Sequence, residues 1–268
     1  AKHEMNEEYA PLWADTYTMS GCLCGTIKKV GMRAFLAEDI GAPCEFKLPE
    51  WATKLPEGSE LHRTAKRVNT AEWWTENSND YDDLFESEFS RDQLVCLGLG
   101  YFDWVKNSSN LKEEATNYKL SHIFLHNSKR ENRRLVGDYV MNQNDFVPEK
   151  EFPDTISYCG WSLDLHHIKG MFSGKEGPFF SNTNIGIIPV PYRCLYSKNI
   201  KNLFMASRCS SFSHIALGST RVESTLATLG QAAGTAAAMT DDFTTLDVKE
   251  LQSVLKKNGV VLHEKDIF

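Results

Sequence analysis

Several motifs that mark common enzyme classes are missing from this sequence of 268 residues. The serine-hydrolase motif G-x-S-x-G does not occur, which excludes that class of nucleophilic catalysis. The loop G-x-G-x-x-G, whose glycines let a backbone approach a dinucleotide pyrophosphate, is also missing. Gly98-Leu99-Gly100 matches it in part, but Asp103 occupies the third glycine position. Because residues 91–105 have the pattern of a helix, we interpret this partial match as chance.

Signals for metals, nucleic acids and membranes are equally scarce. The seven cysteines include no C-x-x-C pair, so the four-cysteine zinc spacing is missing. The adjacent His166 and His167 diverge on a strand and have no third ligand at a suitable spacing, so we predict no metal site. The net charge of −7 argues against a nucleic-acid partner. No apolar run approaches the roughly 20 residues that a membrane helix requires.

The cysteines and the N-terminus bear on the compartment and on the extent of the chain. An odd number of scattered cysteines predicts buried free thiols and a reducing compartment, and we expect the cytoplasm. The sequence begins with Ala1 instead of an initiator methionine and has no signal peptide. We therefore expect a processed chain, a fragment or one half of a split protein. With 41% hydrophobic residues, it can bury a sizeable core.

Residues 202–239 contain the pattern around which the rest of the chain is interpreted. The apolar residues 203–206 predict a buried strand, and a loop rich in Ser, Cys and His follows over residues 207–213. After a predicted turn at Gly218-Ser219-Thr220, residues 222–239 lack proline and carry one charge, which predicts a buried helix. Small residues on one face of that helix would let a backbone or a flat ligand approach closely. They are Gly230, Ala233, Gly234, Ala237 and Ala238.

The junction before this helix is the first candidate site. A helix N-terminus has unpaired N–H groups and a partial positive charge, so it suits an anionic or electron-rich ligand. Arg221 lies at this junction, and Arg208 follows the predicted strand. The alternative is a tightly packed core helix whose two neighbouring arginines form structural ion pairs.

Five segments of the chain together resemble one family. They are residues 18–51, 130–139, 160–166, 192–195 and 207–235. The similarity is to FAD-dependent oxidoreductases of the fumarate-reductase-like class, in particular a bacterial family with the motifs R-E-S-R-R-x-V-G, W-S-x-D-x-H and G-Q-A-A-G-T-A-A. Two positions depart from the family pattern, Ser207 in place of Gly and Asn132 in place of Ser.

The resemblance implies an α+β fold with two domains. A mixed or antiparallel sheet would form the substrate (cap) domain, residues 1–190, which begins with an N-terminal arm. Residues 191–268 would be the C-terminal strand and helices of a Rossmann-like FAD-binding domain. The N-terminal half of that domain, which carries the G-x-G-x-x-G motif, is not in this chain, so we expect a second chain to supply it in a heteromer.

The resemblance also implies FAD as the cofactor and assigns residues to it. The N-terminus of the small-residue helix would point at the flavin ring, and Arg221 would bind substrate or the reduced flavin. His166 and His214 are the candidate acid/base residues, with a structural histidine as the alternative for each. Two of the predicted cofactor-binding residues are consecutive arginines, for which the alternative is a solvated charge. The predicted cofactor-binding residues are Arg133, Arg134, Ser207, Arg208, Ser219, Ser224, Thr225 and Gln231.

Three functions remain open at this point. The first is the hydride-transferring part of an FAD-dependent oxidoreductase that acts on a small organic substrate, such as a sugar or another alcohol. The second is an ene-reductase of the fumarate-reductase type, in which Arg221 acts as the acid. The third is a flavin-free binding or structural subunit. The adjacent Trp73 and Trp74 predict either an aromatic wall for a sugar ring or two packed side chains on opposite faces of a strand.

Overall fold

The computed structural model describes residues 17–18, 22–23, 34–56, 65–72, 75–76, 85–125, 127–128, 133–167, 169–174, 179–182 and 185–263. These residues form two compact units that alternate along the chain. The first unit comprises the described residues within Ala1–Thr18, Glu131–Leu165 and Ser181–Phe268, and the second those within Met19–Arg130 and His166–Phe180. The units differ from the two consecutive segments expected on either side of residue 190, and the assignment of substrate and cofactor domains stays a prediction.

The described residues form four helices and nine strands. The helices are α1 (Ser87–Asn107), α2 (His214–Thr220), α3 (Glu223–Ala237) and α4 (Val248–Lys257). The strands are β1 (Tyr17–Thr18), β2 (Cys22–Leu23), β3 (Phe35–Asp39), β4 (Tyr118–Ile123), β5 (Asn127–Ser128), β6 (Thr155–Cys159), β7 (Leu163–His167), β8 (Phe179–Asn182) and β9 (Ile188–Pro191). The pairs β2–β5, β3–β4 and β6–β9 are antiparallel, and a three-stranded sheet has the order β1-β7-β8. The architecture is therefore mixed α and β, with small sheets.

Helix α1 supplies much of the core of the second unit. Its central apolar side chains recur at helical spacing and are buried, which confirms the helix predicted over residues 91–105. The antiparallel pair β3–β4 packs beside it, and the ring of Phe35 lies 5.0 Å from that of Phe102. The buried positions of the α1 stripe are Leu94, Leu97, Tyr101 and Val105.

Gly100 explains the partial glycine motif in α1. A Cβ atom at this position would lie 1.8 Å from the carbonyl oxygen of Thr53, so only glycine lets the two backbones meet. The contact is reinforced by the N–H of Thr53, which donates to the carbonyl oxygen of Cys96 at 3.2 Å. Gly98-Leu99-Gly100 therefore lies within a helix, as the sequence pattern predicted, and Gly100 is required there for packing.

The first unit is built on the pair β6–β9 and the helices α3 and α4. The register runs from Thr155 opposite Pro191 to Cys159 opposite Ile188. Helix α3 packs against β6, and α4 packs against both. Helix α4 begins at Val248, three residues after the start predicted at a Thr244 cap, because the Asp247 side chain is the cap and accepts the N–H of Lys249 at 2.9 Å.

Two strand predictions were wrong. Residues 203–206 form no strand and make only an isolated bridge between Phe204 and Tyr196, while the Phe204 ring stacks on that of Phe243 at 3.9 Å. The apolar residues at the start of 156–167 predict one strand that ends in polar residues, but the segment forms β6 and β7 with a break over 160–162. Aromatic stacking at Phe204 and the bend at Trp161 thus override the local apolar pattern.

The predicted turn at residues 218–220 was also wrong, because these residues are the last of helix α2. The helix begins after Ser213, whose hydroxyl accepts the N–H of Ala216 at 3.2 Å. Gly218 lets α2 lie against β7, since its Cβ would be 3.0 Å from the backbone nitrogen of Asp164. The glycine therefore serves a close approach of two elements and not a turn.

Helix α3 forms in the predicted place, but only one of its faces is buried, whereas the sequence predicted a buried helix. Thr225, Leu229, Ala232 and Ala236 form a buried face. The opposite face is exposed and consists mainly of glycine and alanine. Exposure of this face costs little free energy, because such small side chains have little apolar area. Its members are Ala227, Gly230, Gln231, Gly234 and Ala237, and we call them the α3 outer face.

None of the helices among the described residues has both the length and the apolar character needed to cross a membrane. In the same residues, no three His, Cys, Asp or Glu side chains are grouped as metal ligands.

Candidate functional site

The first unit contains a cavity of about 800 Å³ at the start of helix α3. Its wall combines the end of β6, the first half of α3 and the chain after α4. Three predicted cofactor-binding residues, Ser224, Thr225 and Gln231, line this cavity together. The remaining lining residues are Ser157, Tyr158, Cys159, Gly160, Trp161, Ile187, Val222, Thr228, Gly259, Val260 and Val261.

The N-terminus of α3 forms the polar side of this cavity. Val222 is extended, and the first N–H bond within the helix runs from Leu226 to the carbonyl oxygen of Val222 at 3.0 Å. The N–H groups of the preceding turn therefore lie outside the helical ladder, where a helix carries its partial positive charge. The buried Thr225 hydroxyl donates to the carbonyl oxygen of Tyr158 at 3.3 Å, which ties the helix start to β6.

Trp161 forms the aromatic side of the cavity and is 51% exposed. Its carbonyl oxygen accepts the hydroxyl of Ser219 at 2.5 Å. Ser219 is itself completely buried and also forms a hydrogen bond with the thiol of Cys159. Burial raises the pKa of that thiol to about 12, and the Ser219 hydrogen bond acts in the opposite direction. Ser219 therefore supports the cavity wall, and its contact with a cofactor stays a prediction.

An ion pair links two segments that sequence analysis treated separately. A guanidinium nitrogen of Arg221, at the end of α2, bonds a carboxylate oxygen of Asp164 in β7. Both side chains are largely buried, with 15% and 17% exposure. Arg221 precedes Val222, which lines the cavity, and the role of Arg221 in binding substrate or flavin stays a prediction.

The two predicted arginine segments lie side by side. The N–H of Leu135 donates to the carbonyl oxygen of Cys209 at 2.7 Å, and the N–H of Gly137 donates to the Ser211 hydroxyl at 3.0 Å. This pairing brings the backbone that carries Arg133 and Arg134 against the turn that carries Ser207 and Arg208. Their part in cofactor binding stays a prediction.

The two candidate histidines lie in different units. His214 is the first residue of α2 in the first unit and is buried. His166 belongs to the second unit, where its Nδ1 lies 2.7 Å from Oε2 of Glu76. Both members of this pair are almost completely buried, with 1% and 0% exposure.

Glu76 is the functional candidate that sequence reasoning missed. It lies 90 residues from His166, follows the Trp pair and belongs to no motif. A carboxylate on one imidazole nitrogen fixes the tautomer and stabilises the protonated ring, which is the usual support of an acid/base histidine. The expected aromatic wall at Trp73 and Trp74 lies outside the described residues.

Comparison with known families decides the class of this protein. A model of the family described as FAD dependent oxidoreductase matches residues 15–255. The chain belongs to the FAD-dependent oxidoreductase family. It is accordingly an oxidoreductase, and its cofactor is FAD. Searches of curated proteins and of solved structures gave no match.

The residues around the α3 cavity suit the ring portion of FAD. Its volume of about 800 Å³ falls within the range of small-molecule sites. The helix N-terminus and the side chains of Ser224, Thr225 and Gln231 offer hydrogen-bonding groups on one side, and Trp161 offers an aromatic surface on the other. The sequence provides no glycine-rich loop for the pyrophosphate of the same cofactor.

Proposed function

We propose that this chain provides the flavin-ring side and the substrate side of an enzyme that moves a hydride between FAD and a small alcohol, such as a sugar. The observation that carries the proposal is the cavity at the N-terminus of α3, which three predicted cofactor-binding residues line together. The partial positive charge of a helix N-terminus favours an electron-rich ligand.

The roles of the cavity residues follow from their positions. The first N–H groups of α3, with Ser224 and Gln231, would hold the electron-rich edge of the ring, while Thr225 fixes the helix start to β6. Trp161 would cover the apolar face of the ring and exclude water. FAD, when bound, accepts or supplies the hydride, which is chemistry that the side chains cannot perform.

The charged residues of the first unit would orient the substrate. Asp164 holds the Arg221 guanidinium in one orientation, so Arg221 can donate hydrogen bonds to a substrate hydroxyl or carboxyl group. The carboxylate also stabilises the charged guanidinium, which favours a positioning role for Arg221 over proton donation in an ene-reductase. An acid/base role for His166, whose Nδ1 lies against the Glu76 carboxylate in the second unit, stays a prediction.

The α3 outer face is suited to the docking of a further segment, which would complete the FAD site. A Cβ atom at Gly230 or Gly234 would meet no atom within 4 Å, although glycine weakens a helix by about 1 kcal/mol relative to alanine. Such a face admits a close backbone or a flat ring. We infer that the G-x-G-x-x-G segment lies outside residues 1–268, on the same polypeptide or on a second chain, and docks here.

The proposal is tested first on material purified natively with all chains that accompany it. Visible absorption reports bound flavin, and intact masses identify any second chain. Oxidation of alcohols and sugars with loss of flavin absorbance supports the proposed direction, whereas reduction of enoates alone supports the ene-reductase. Material without flavin, even after added FAD, contradicts the proposal and supports a flavin-free subunit.

The ring-side assignment is tested on the chain itself by titration with FMN and with ADP. Binding should quench FMN fluorescence, and ADP should bind at least about tenfold more weakly than FMN. The reason is that this chain provides residues for the flavin ring but no glycine-rich loop for the ADP portion of FAD. Thr225→Val should weaken FMN binding about tenfold, since it loosens the start of α3. Thr235→Val is the matched control on the same helix, outside the cavity, and should leave FMN binding unchanged. ADP binding without FMN binding would place the site elsewhere.

A further inference from the structure

A second cavity of about 800 Å³ lies in the first unit, beside the α3 cavity. It is lined from β6 and from α4, and we call it the β6–α4 cavity. Tyr158 and Ile187 line both cavities, while the chain after α4 contributes residues 259–261 to the α3 cavity and residues 262–263 to the β6–α4 cavity. The two cavities therefore adjoin along a shared wall, and the flavin-ring assignment uses only one of them.

Gln252 on α4 presents an oriented hydrogen-bond acceptor to the β6–α4 cavity. Its amide nitrogen donates to the carbonyl oxygens of Pro153 and Thr155 at 3.1 and 2.9 Å. Because both partners are acceptors, the nitrogen must face them, and the amide oxygen faces away. Among the described residues no group donates to this oxygen, so its lone pairs are available to a ligand.

Two carboxylates add further acceptors to the same cavity. Glu149 and Glu151 line it and are exposed, and neither has an ion-pair partner in the described part of the chain. Lys150, which lies between them in the sequence, is paired with Asp145 at 2.8 Å. Ionised carboxylates only accept hydrogen bonds, and O–H donors form short, strong bonds to them. The cavity thus offers acceptors that suit a ligand rich in hydroxyl groups.

The cations of the lining do not remove this character. Lys256 and His263 also line the cavity, and they can donate to the oxygen atoms of the same ligand. A sugar or polyol both donates and accepts at each hydroxyl group, so it matches a lining that contains both kinds of group.

The backbone of Glu149 is held in a conformation that few residues adopt. Its φ is 63°, and among the described residues it is the one residue other than glycine with a positive φ. Glycine or asparagine would adopt this conformation at lower cost. The turn itself therefore does not require a glutamate, and the position of its carboxylate at the cavity gives a reason for the residue.

We propose that the β6–α4 cavity binds the substrate and selects a neutral, polyhydroxylated molecule over an anionic one. The inference rests on the proposed hydride transfer, since the shared wall at Tyr158 and Ile187 would bring the substrate next to the flavin ring. Hydroxyl groups supply the donors that Gln252, Glu149 and Glu151 can accept. A ligand carboxylate or phosphate would have no such donor to offer and would meet the like charge of the two glutamates.

The acidic lining also bears on the direction of the reaction. The enoate substrates of an ene-reductase carry carboxylates, whereas alcohols and sugars carry hydroxyl groups. The cavity therefore favours alcohol oxidation. Phe152, Pro189 and Leu262 provide apolar surface for the C–H groups of such a substrate.

Saturation-transfer NMR on the chain tests this specificity without flavin. The neutral probes are the methyl glycosides of glucose, galactose and mannose together with myo-inositol, and the anionic probe is glucuronate, which is similar in size. At least one neutral probe should bind about tenfold more tightly than glucuronate. Absence of saturation transfer to every neutral probe, or equally tight binding of glucuronate, overturns the proposal.

The double variant Glu149→Asn with Glu151→Gln removes both carboxylates and suits the left-handed backbone at position 149. The neutral probe should bind at least about tenfold more weakly and lose its advantage over glucuronate, while the melting temperature does not fall. Glu250→Gln removes an exposed carboxylate on α4 outside the cavity, and this control should leave both affinities unchanged. An unchanged preference in the double variant, or an equal loss in the control, contradicts the assignment.

Titration in the presence of FMN separates this proposal from the flavin assignment. The neutral probe should still bind when the chain is saturated with FMN, and it should change the FMN fluorescence because the cavities adjoin. Displacement of FMN by the probe would place both ligands in the α3 cavity and contradict a separate substrate cavity. Failure of FMN to bind contradicts the proposed function, whereas the NMR measurement decides the β6–α4 cavity independently.

Discussion

At the scale of single residues, the candidate site depends on charged groups that are buried in pairs. Arg221 and Asp164 come from the end of α2 and from β7, and each is the partner that makes burial of the other tolerable. In the second unit, Glu76 and His166 form a buried hydrogen-bonded contact. Removing one member of a buried pair leaves an uncompensated charge, which costs more than the pair itself contributes.

Asp164→Asn should therefore lower the free energy of unfolding by about 2–4 kcal/mol, because the Arg221 charge loses its counter-ion. Urea unfolding measures this change, and a double-mutant cycle with Arg221→Met isolates the coupling. Glu88→Gln is the control, since it removes an ion pair with Arg91 on the exposed face of α1. It should change the free energy of unfolding by less than about 1 kcal/mol. Equal costs for the two variants would mean that the Asp164 pair contributes no more than a surface contact.

At the scale of elements, glycines decide how closely α1 and α3 can be approached. Gly100 in α1 touches the backbone at Thr53, whereas Gly230 in α3 faces open space. The same residue type at the same local conformation thus has opposite roles. Helix propensity disfavours glycine at both positions, so the surroundings of Gly100 and of Gly230 must explain why glycine is present there.

Gly100→Ala should lower the free energy of unfolding by more than about 2 kcal/mol, because the new Cβ would meet the carbonyl oxygen of Thr53 at 1.8 Å. Gly230→Ala should raise it by about 0.5–1 kcal/mol through helix propensity alone. Thermal and urea unfolding of the two variants measures both changes. Opposite signs are the decisive feature, and a stabilising Gly100→Ala would contradict the described packing of α1.

At the scale of the whole molecule, buried tyrosines in both units shape the response to pH. Burial raises the pKa of Tyr101 in the second unit, and the Glu72 carboxylate adds to the effect. Burial likewise raises the pKa values of Tyr139, Tyr192 and Tyr196 in the first unit. Hydrogen bonds from Tyr139 to Asp145 and from Tyr196 to Asp138, both carboxylates, act in the same direction.

The free energy of unfolding should therefore fall as pH rises above about 10, the pKa of tyrosine in an unfolded chain. Above that pH the unfolded state has lost protons that the folded state retains, so stability decreases with pH until the raised pKa values are reached. Urea unfolding between about pH 8 and 11, with tyrosinate absorbance as a second readout, measures the slope. Tyr101→Phe should make the slope shallower, because it removes one of the hydroxyl groups whose pKa is raised by burial. A slope unaffected by Tyr101→Phe would contradict the burial of this hydroxyl.

The sequence by itself determined the features that depend on a few neighbouring residues. The helices α1 and α3 and the membership of the FAD-dependent oxidoreductase family follow from local spacing and motifs. Periodicity and capping act within one or two helical turns, so they can be recognised without knowing the fold.

Tertiary structure alone decided the contacts between distant segments. It made residues 203–206 a half-buried irregular segment, placed Ser219 behind the cavity wall and left the α3 outer face exposed. It also paired His166 with Glu76 and Arg221 with Asp164, across 90 and 57 residues. Such contacts depend on which surfaces pack together once the chain has folded, and no local pattern of residues specifies that choice.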